Sequence, residues 1–309
     1  MSIILNWNNR GQSVTAVKIY RGNSRIGPLT LLDIINTAAT TYEDTTALSD
    51  VLYYYKVALV IGDEEVPGSL QPMMIVTNLG PGPQSLISGT MEYGYFGKML
   101  PAEFFTSATL RTAIGASPAY WQNYTGSDIT WWRKYAYFGK ILYLPDVPLY
   151  QTNAMNSTAI MALYTAGMLY GHGKTNKAWV ITVADTVQDK KVINGAFEFI
   201  IKAPSANVYT DPTTTYMDTA STVNYYNSEA MLIAQPASTV NSNTVGAGLS
   251  LPKVASSDTY GANATGIVTQ HMVSATLFNV QYNYNAVRTT VTWTSSAVIQ
   301  YHPILQLVP

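Results

Sequence analysis

The chain has 309 residues, of which 11% are charged, 12% are aromatic and none is cysteine, and its formal net charge is −1. An average globular domain carries about 25% Asp, Glu, Lys and Arg, so roughly half of the usual charge is missing. A near-zero net charge argues against a protein that binds nucleic acid or an anionic membrane surface. The lack of cysteine excludes disulfides and thiolate sites. Tyrosine, present 23 times, is enriched in protein interfaces, so the composition favours a component of an assembly.

The first 78 residues alternate short strands with turns. Ile3, Leu5 and Trp7 fall on one face of a strand, and no basic region or long apolar run marks the start as a signal peptide. Residues 15–20 alternate in the same way, and residues 51–61 form a long strand, which together predict a β-sandwich. The residues predicted to face its core are Leu5, Trp7, Val17, Ile19, Tyr55, Val57 and Leu59.

Four segments of this region resemble a fibronectin type III or related immunoglobulin-like module. They are Leu5-Asn6-Trp7, the strand at 17–21, the run Thr41-Tyr42-Glu43-Asp44 and the strand at 53–58. The resemblance implies a two-sheet sandwich with Tyr53 at the corner before the long strand. A complete module has one more strand before the Trp-bearing one. Either that strand is absent, or another part of an assembly completes the sheet by adding a strand to its open edge.

The alternating glycines and prolines at 79–85 predict an interdomain linker with few contacts across it. Proline lacks the N–H that a strand ladder needs, and glycine adds backbone entropy. We therefore expect a sandwich domain at 1–78, a linker at 79–85 and a second domain at 86–309.

The first half of the second domain mixes predicted helices and strands. A helix is expected at 101–114 and another at 157–170, each followed by a terminal glycine. Between them, residues 131–144 form strand with a Phe138-Gly139-Lys140 turn. Residues 192–201 read as a hairpin around Asn194-Gly195, and the class is α+β.

The second half of this domain is largely polar and carries few charges. A strand is expected at 179–183, and long loops at 205–269 surround a short segment at 230–235. Strands follow at 275–284 and 289–294, and the chain ends on residues 297–308. Against a neighbouring chain, such a segment could pair its amides and hydroxyls with little desolvation of charge.

Several pieces of the second domain are similar to a domain found in structural proteins of large tailed bacteriophages. In chain order they are residues 82–89, 94–97, 102–105, Leu110, 113–115, 139–144, Pro148, 163–167 and 301–307. The resemblance implies a virion protein without catalytic residues. The closing run also resembles C-type-lectin-like domains, in which the last strand returns beside the first. His302 and Gln306 stand where the phage domain usually has charged residues, so the resemblance does not imply for this chain a surface role that those charges serve.

One motif resembles a phosphate-binding loop, Gly171-His172-Gly173-Lys174-Thr175. The loop needs a glycine where Met168 stands, and it follows a strand, whereas this segment follows a predicted helix. We interpret it as a helix-ending turn.

The remaining candidates for chemistry are isolated in sequence. The histidines His172, His271 and His302 have no carboxylate at metal-ligand spacing, and Glu64-Glu65 lie in a predicted hairpin turn. We therefore expect packing histidines, a solvated acid pair, and neither a metal nor a cofactor.

The aromatic residues indicate a function more strongly than the isolated polar motifs do. About half are expected to fill the core and the rest to form subunit contacts, which are favoured over sugar stacking because amide and charged partners are not concentrated beside them. The candidate interface residues are Tyr120, Trp121, Tyr124, Trp131 and Trp132.

These patterns predict a non-enzymatic structural component of a tailed-phage virion, assembled in the host cytoplasm. Its position would be in a collar, among tail accessory or fibre-associated proteins, or as a head decoration. The expected partners are copies of itself and other virion proteins, without nucleic acid or membrane insertion. The alternative is an adhesin that recognises a host-surface glycan or protein. A glycan hydrolase lacks a convincing acid pair.

Overall fold

Antiparallel β-sheet dominates the computed structural model. The structure describes residues 1–9, 11, 13–36, 39–152, 157–171, 173–175, 184–204, 229, 267–274, 277–281, 288–292 and 299–309. The chain divides into two compact units. Unit 1 comprises Met1–Leu79 with Thr90–Glu92 and Pro309, and unit 2 comprises Gly80–Gly89 and Tyr93–Val308.

Seven strands in two sheets make up the described part of unit 1. They are β1 (Ile3–Asn6), β2 (Ala16–Gly22), β3 (Thr30–Ile35), β4 (Thr41–Asp44), β5 (Tyr53–Ile61), β6 (Glu64–Pro67) and β7 (Gln71–Met73). One sheet pairs β1 with β4, and the other has the order β3-β2-β5-β6, with β7 also paired to β5. Within the described residues, β1 therefore has one paired edge and one unpaired edge.

The two sheets of unit 1 enclose a common core. Leu5 from β1, Val17 and Ile19 from β2 and Tyr55 from β5 are buried in one cluster. The other three predicted core residues, Trp7, Val57 and Leu59, are partly buried against it. The core predicted from period-2 alternation is thus confirmed, with Trp7 at its margin.

A buried carboxylate organises one part of this core. Asp44 is 1% exposed and accepts hydrogen bonds from Tyr55 Oη and Arg21 Nη1, both at 2.6 Å. Thr46 donates to the same carboxylate through its backbone N–H and its hydroxyl. Burial disfavours the charge, but the hydrogen bonds from Tyr55, Thr46 and Arg21 outweigh it and hold the pKa of Asp44 below its usual value.

A second buried carboxylate of unit 1 comes from the short segment Thr90–Glu92. Glu92 is 1% exposed, and Arg25 binds its two oxygens through Nε at 2.9 Å and Nη2 at 3.1 Å. Tyr54 Oη donates to the same group at 2.8 Å. Bidentate pairing of this kind gives the carboxylate the hydrogen bonds that burial would otherwise remove.

Two larger sheets and two helices make up the described part of unit 2. The strands are β8 (Ser88–Gly89), β9 (Tyr93–Met99), β10 (Gln122–Asn123), β11 (Trp132–Tyr137), β12 (Lys140–Pro145), β13 (Tyr150–Thr152), β14 (Lys191–Asn194), β15 (Phe197–Lys202), β16 (Ile267–Ser274), β17 (Leu277–Gln281), β18 (Arg288–Thr292), β19 (Ile299–Tyr301) and β20 (Ile304–Leu307). The seven-stranded sheet has the order β14-β15-β20-β12-β11-β9-β8, and the six-stranded sheet β10-β13-β19-β16-β17-β18. The last strand, β20, pairs with β12 and β15 and not with the first strands of the unit.

Both predicted helices are present but shorter than expected. The first, α1, spans Ser107–Ile114, because Thr106 caps its N-terminus by accepting from Thr109 N–H, and only a 3₁₀ turn precedes it. The second, α2, spans Ser157–Thr165. It ends before the predicted glycine because Gly167, with φ 71°, takes the left-handed conformation and its N–H bonds to Tyr164 O.

The Gly/Pro segment is held by hydrogen bonds within unit 2. Tyr143 Oη donates to Pro81 O at 3.0 Å, and Lys134 Nζ donates to Pro83 O at 2.6 Å. Gly80 has φ 68°, and a Cβ atom there would lie 2.5 Å from Tyr143 Oη, so this close approach requires glycine. The segment that we expected to be a linker is therefore anchored to β11 and β12 by their side chains.

Aromatic rings fill much of the core of unit 2. Phe104 lies 5.0 Å from the ring centroids of both Trp132 and Phe199, and 4.7 Å from that of Tyr143. Every residue of β11 is buried. Because successive strand residues point to opposite faces, β11 is covered on both sides.

Part of the expected second half lies outside the described residues. This applies to the strand at 179–183 and to the segment at 230–235. The two strands expected at 275–284 and 289–294 correspond to β17 and β18, and the hairpin at 192–201 corresponds to β14 and β15. The end of the chain, at 297–308, contains β19 and β20. Among the described residues, no helix is both long and apolar enough to cross a membrane.

Candidate interaction surface

Two of the five aromatic residues predicted at an interface belong to the core of unit 2. Trp121 is 3% exposed, and its Nε1 donates to Ala159 O at 2.7 Å. Trp132 is fully buried, and its Nε1 donates to Phe105 O at 2.7 Å. Neither ring has surface to offer to another chain, because each fills the interior and satisfies its own N–H there.

Tyr120 is the most exposed of the five. Its side chain is 55% exposed, and its backbone has φ 70°. A bulky residue in the left-handed region costs of order 1 kcal/mol, and such positions concentrate at binding sites. The structure thus holds a large aromatic ring towards solvent at an unfavourable backbone position.

Tyr124 and Trp131 are half-buried at the two ends of the following loop. Tyr124 N–H donates to Leu149 O at 3.1 Å, which fixes its backbone. Cations lie over the Trp131 ring, with Lys98 Nζ 5.5 Å and Arg133 Cζ 5.4 Å from its centroid. Part of each ring is therefore available at the surface, while the rest is engaged within unit 2.

We call residues 120–131 the aromatic loop. It contains β10, which among the described residues lies at the edge of the six-stranded sheet and pairs with β13. Its exposed polar side chains are Gln122, Asn123, Thr125, Ser127, Asp128 and Thr130. Only one of these is charged, so the loop presents rings, amides and hydroxyls, which can bind a protein surface or a sugar without much desolvation of charge.

A set of exposed aliphatic side chains was not predicted from the sequence. In unit 1 they are Ile4, Ile26, Leu31, Ile34, Leu48 and Val66, and in unit 2 they are Ile87, Leu100, Val187 and Ile193. Several are more than half exposed, such as Ile26 at 86% and Ile87 at 69%. The signal available in the sequence was apolar residues that break the period-2 pattern, as in Leu31-Leu32-Asp33-Ile34-Ile35.

The motif at 171–175 lies after a helix, as the sequence indicated. The described residues between α2 and the motif contain no strand, and Gly171 and Gly173 have φ values of 66° and 71°. Gly173 N–H donates to Gln188 O, and Gln188 N–H donates to Lys174 O. These bonds engage the loop backbone with the protein itself, whereas a phosphate site directs it at a ligand.

His302 and the acid pair Glu64-Glu65 do not form a catalytic or metal-binding arrangement. His302 is buried, and burial, together with the nearby Arg133 charge, lowers its pKa to about 3, so it is neutral. Glu64 and Glu65 are exposed in β6, and Glu65 pairs with Lys18 at 2.7 Å. Within the described part of the chain, no three His, Cys, Asp or Glu side chains are grouped to hold a metal ion. The side chains of His172 and His271 lie outside the described residues.

Comparisons with known proteins give no match: no family model, no curated protein and no solved structure is similar to this chain at a significant level.

Proposed function

We propose that this chain is a non-enzymatic structural component of a tailed-phage virion that acts through protein–protein contacts. The observation that carries the proposal is a surface with many exposed aliphatic side chains on a chain with 11% charged residues. Apolar side chains scattered singly are normal on monomers, so the proposal rests on their number together with the loss of about half the usual charge, a combination that suits surfaces covered by neighbouring chains. The role is a collar, tail-accessory, fibre-associated or head-decoration protein.

The position of the phage-like segments supports this proposal. They fall on β9, β12 and β20, which belong to one sheet, and on Phe104 and Phe105 in the aromatic core. Residues that carry the resemblance thus determine the fold of unit 2 and are distributed through its core. That distribution fits a structural domain better than a catalytic one, whose defining residues converge on a cleft.

For unit 1 we propose an immunoglobulin-like or fibronectin type III sandwich. Leu48 N–H donates to Tyr53 Oη at 3.3 Å, which is the bond of a tyrosine corner five residues upstream of the ring. The strand pairing β1-β4 and β3-β2-β5-β6 also fits such a module without its first strand. For unit 2, the position of β20 between β12 and β15 does not match the C-type-lectin-like expectation that the last strand lies beside the first.

The alternative function is an adhesin, and one observation favours it. Exposed Tyr120 is followed, after the buried Trp121, by the exposed amides Gln122 and Asn123. An aromatic ring beside amide donors and acceptors is a combination suited to stacking on a sugar and binding its hydroxyls. This pairing weakens the sequence argument that amides are not concentrated beside the aromatic residues.

Quantitative mass spectrometry of purified particles separates the two functions from a non-virion role. A structural component is expected at a fixed copy number in every preparation. Binding of fluorescent full-length chain to host cells, with and without enzymatic removal of surface glycans, then tests the adhesin. Absence of the chain from purified particles would overturn the structural proposal.

A further inference from the structure

The edge strand β3 of unit 1 is more apolar than a free edge normally is. It has the sequence Thr30-Leu31-Leu32-Asp33-Ile34-Ile35, and among the residues that the structure describes it lies at the end of the five-stranded sheet, paired with β2 alone. Leu31 and Ile34 are each 44% exposed. Natural edge strands are usually short, charged or covered, because their unpaired backbone groups attract other strands.

A bulge puts Leu31 and Ile34 on the same face of this strand. Ile34 pairs with Lys18 and Leu31 pairs with Tyr20, with a register shift between Ile19 and Tyr20. Lys18 and Tyr20 are two residues apart in β2 and so share a face. Both bind Glu65 on the side of the sheet that faces away from the core. Without the extra residue, positions 31 and 34 would point to opposite faces.

The same bulge aligns the backbone groups of the two residues. Ile34 N–H donates to Asp33 Oδ1 at 2.8 Å, so it points away from β2 and towards the free edge. In an antiparallel ladder, the direction of N–H and C=O alternates from one residue to the next. Leu31 and Ile34 pair with Tyr20 and Lys18, whose backbone N–H and C=O groups point in the same direction because they are two residues apart in β2. Leu31 therefore also presents its N–H and C=O to the free edge.

We infer that β3 pairs antiparallel with β3 of a second copy of this chain, about a twofold axis between Leu32 and Asp33. In this register Leu31 lies opposite Ile34 of the second copy, and Ile34 lies opposite its Leu31. Both become hydrogen-bonded pairs when the Asp33 carboxylate releases Ile34 N–H to the second copy, and both place two aliphatic side chains together on the outer face. Asp33 lies opposite Leu32, so the two carboxylates are not directly paired.

Self-complementarity is what identifies a second copy as the occupant. A twofold contact requires a surface that is complementary to itself. Here one bulge places Leu31 and Ile34 on the same face and points the backbone N–H and C=O groups of both towards the free edge. The strand has six residues and cannot alone reach the roughly 1,200 Å² of a stable interface, so the pairing is weak unless copies are held together. The contact lies on unit 1 and is independent of the aromatic loop, although it names one partner within the proposed assembly.

Sedimentation velocity of the full-length chain over a wide concentration range tests the pairing. Leu31→Glu alone and Ile34→Lys alone are each expected to weaken self-association at least tenfold, because each places a charge against an aliphatic group. The double variant Leu31→Glu/Ile34→Lys is expected to restore association, since the introduced carboxylate and ammonium then face each other. That restored association is expected to weaken as salt is raised. Thr45→Lys, at an exposed turn residue of unit 1 outside β3 and outside the exposed aliphatic set, is the control and is expected to change nothing.

Three results would overturn the inference: a monomer at every concentration, single variants that associate like the wild type, or a double variant that stays monomeric. Thermal unfolding of each variant shows that it is folded. If self-association responds to Tyr120 and not to β3, the β3 contact is wrong while the proposed function stands. If the β3 variants behave as expected but the chain is absent from particles, the proposed function is wrong while the contact stands.

Discussion

The two units use the faces of their strands differently. In β2 of unit 1, Val17 and Ile19 are buried in the core while Lys18 and Tyr20 bind Glu65 on the outer face. In β11 of unit 2, all six residues are buried, including two cations. Alternation therefore separates inside from outside in β2 but carries no such information in β11. A strand covered on both faces looks the same in sequence whether protein of the same chain or of a neighbour covers it.

The sharpest test of this comparison uses the adjacent residues Trp131 and Trp132. Trp132→Ala is expected to lower the free energy of unfolding by about 3–5 kcal/mol, because it empties a fully buried site and removes the hydrogen bond to Phe105 O. Trp131→Ala is expected to cost about 1 kcal/mol or less, since its ring is half-buried and contacts cations. Equilibrium denaturation in urea measures both. Equal losses would mean that Trp131 is also a core residue.

In unit 1 the largest polar effect is expected at Asp44. Asp44→Ala should cost about 3 kcal/mol, because it leaves Tyr55 and Arg21 without their shared buried acceptor. The exposed Asp63→Ala serves as the control, with little change expected.

The pH dependence of this effect has a definite sign. Since the folded-state pKa of Asp44 is lowered, its stabilisation is present above the unfolded pKa of about 3.9 and is lost as pH falls through the folded value. The difference between wild type and Asp44→Ala should therefore shrink in acid. A difference that stays constant down to pH 2 would show that the cavity, not the charge, determines the loss.

Sequence alone was sufficient where one physical rule acted. Alternation identified Leu5, Val17 and Ile19, and Asn194-Gly195 identified a hairpin. Sequence was insufficient where tertiary contacts determine the local structure. Hydrogen bonds from Lys134 and Tyr143 hold a Gly/Pro segment whose composition is typical of a linker. Sequence also predicted Trp121 and Trp132 at an interface, because residue type alone does not distinguish a tryptophan of the core from one at the surface.

The buried Lys134 of unit 2 offers a test with a smaller expected effect. Burial lowers its pKa to about 8, whereas the unfolded chain keeps a value near 10.4. The unfolded state therefore binds the proton more tightly, and the contribution of Lys134 to stability rises by about 2 kcal/mol from pH 8 to pH 10 and is constant below pH 8. Lys134→Met should remove that rise relative to the wild type.

The control for this prediction is Lys98→Met, at an exposed lysine of the neighbouring strand β9. It should leave the pH profile of unfolding unchanged. Parallel profiles for wild type and Lys134→Met between pH 7 and pH 10 would contradict a buried, destabilised ammonium at Lys134.

The smallest effect on stability is expected at Tyr120, the exposed ring of the aromatic loop. Tyr120→Gly removes the ring and also relieves the left-handed backbone, φ 70°, that a tyrosine adopts at a cost. The free energy of unfolding should therefore stay within about 1 kcal/mol of the wild type and is expected to increase, unlike that of any core aromatic variant. Binding to partner proteins, or to host cells if the adhesin alternative holds, should decrease at the same time. Tyr120→Phe keeps the ring and the backbone strain, and it should retain stacking contacts while losing only the phenol hydroxyl. If Tyr120→Gly is strongly destabilised, the ring supports the fold and is not part of a contact surface, and the distinction between Tyr120 and the buried Trp121 disappears.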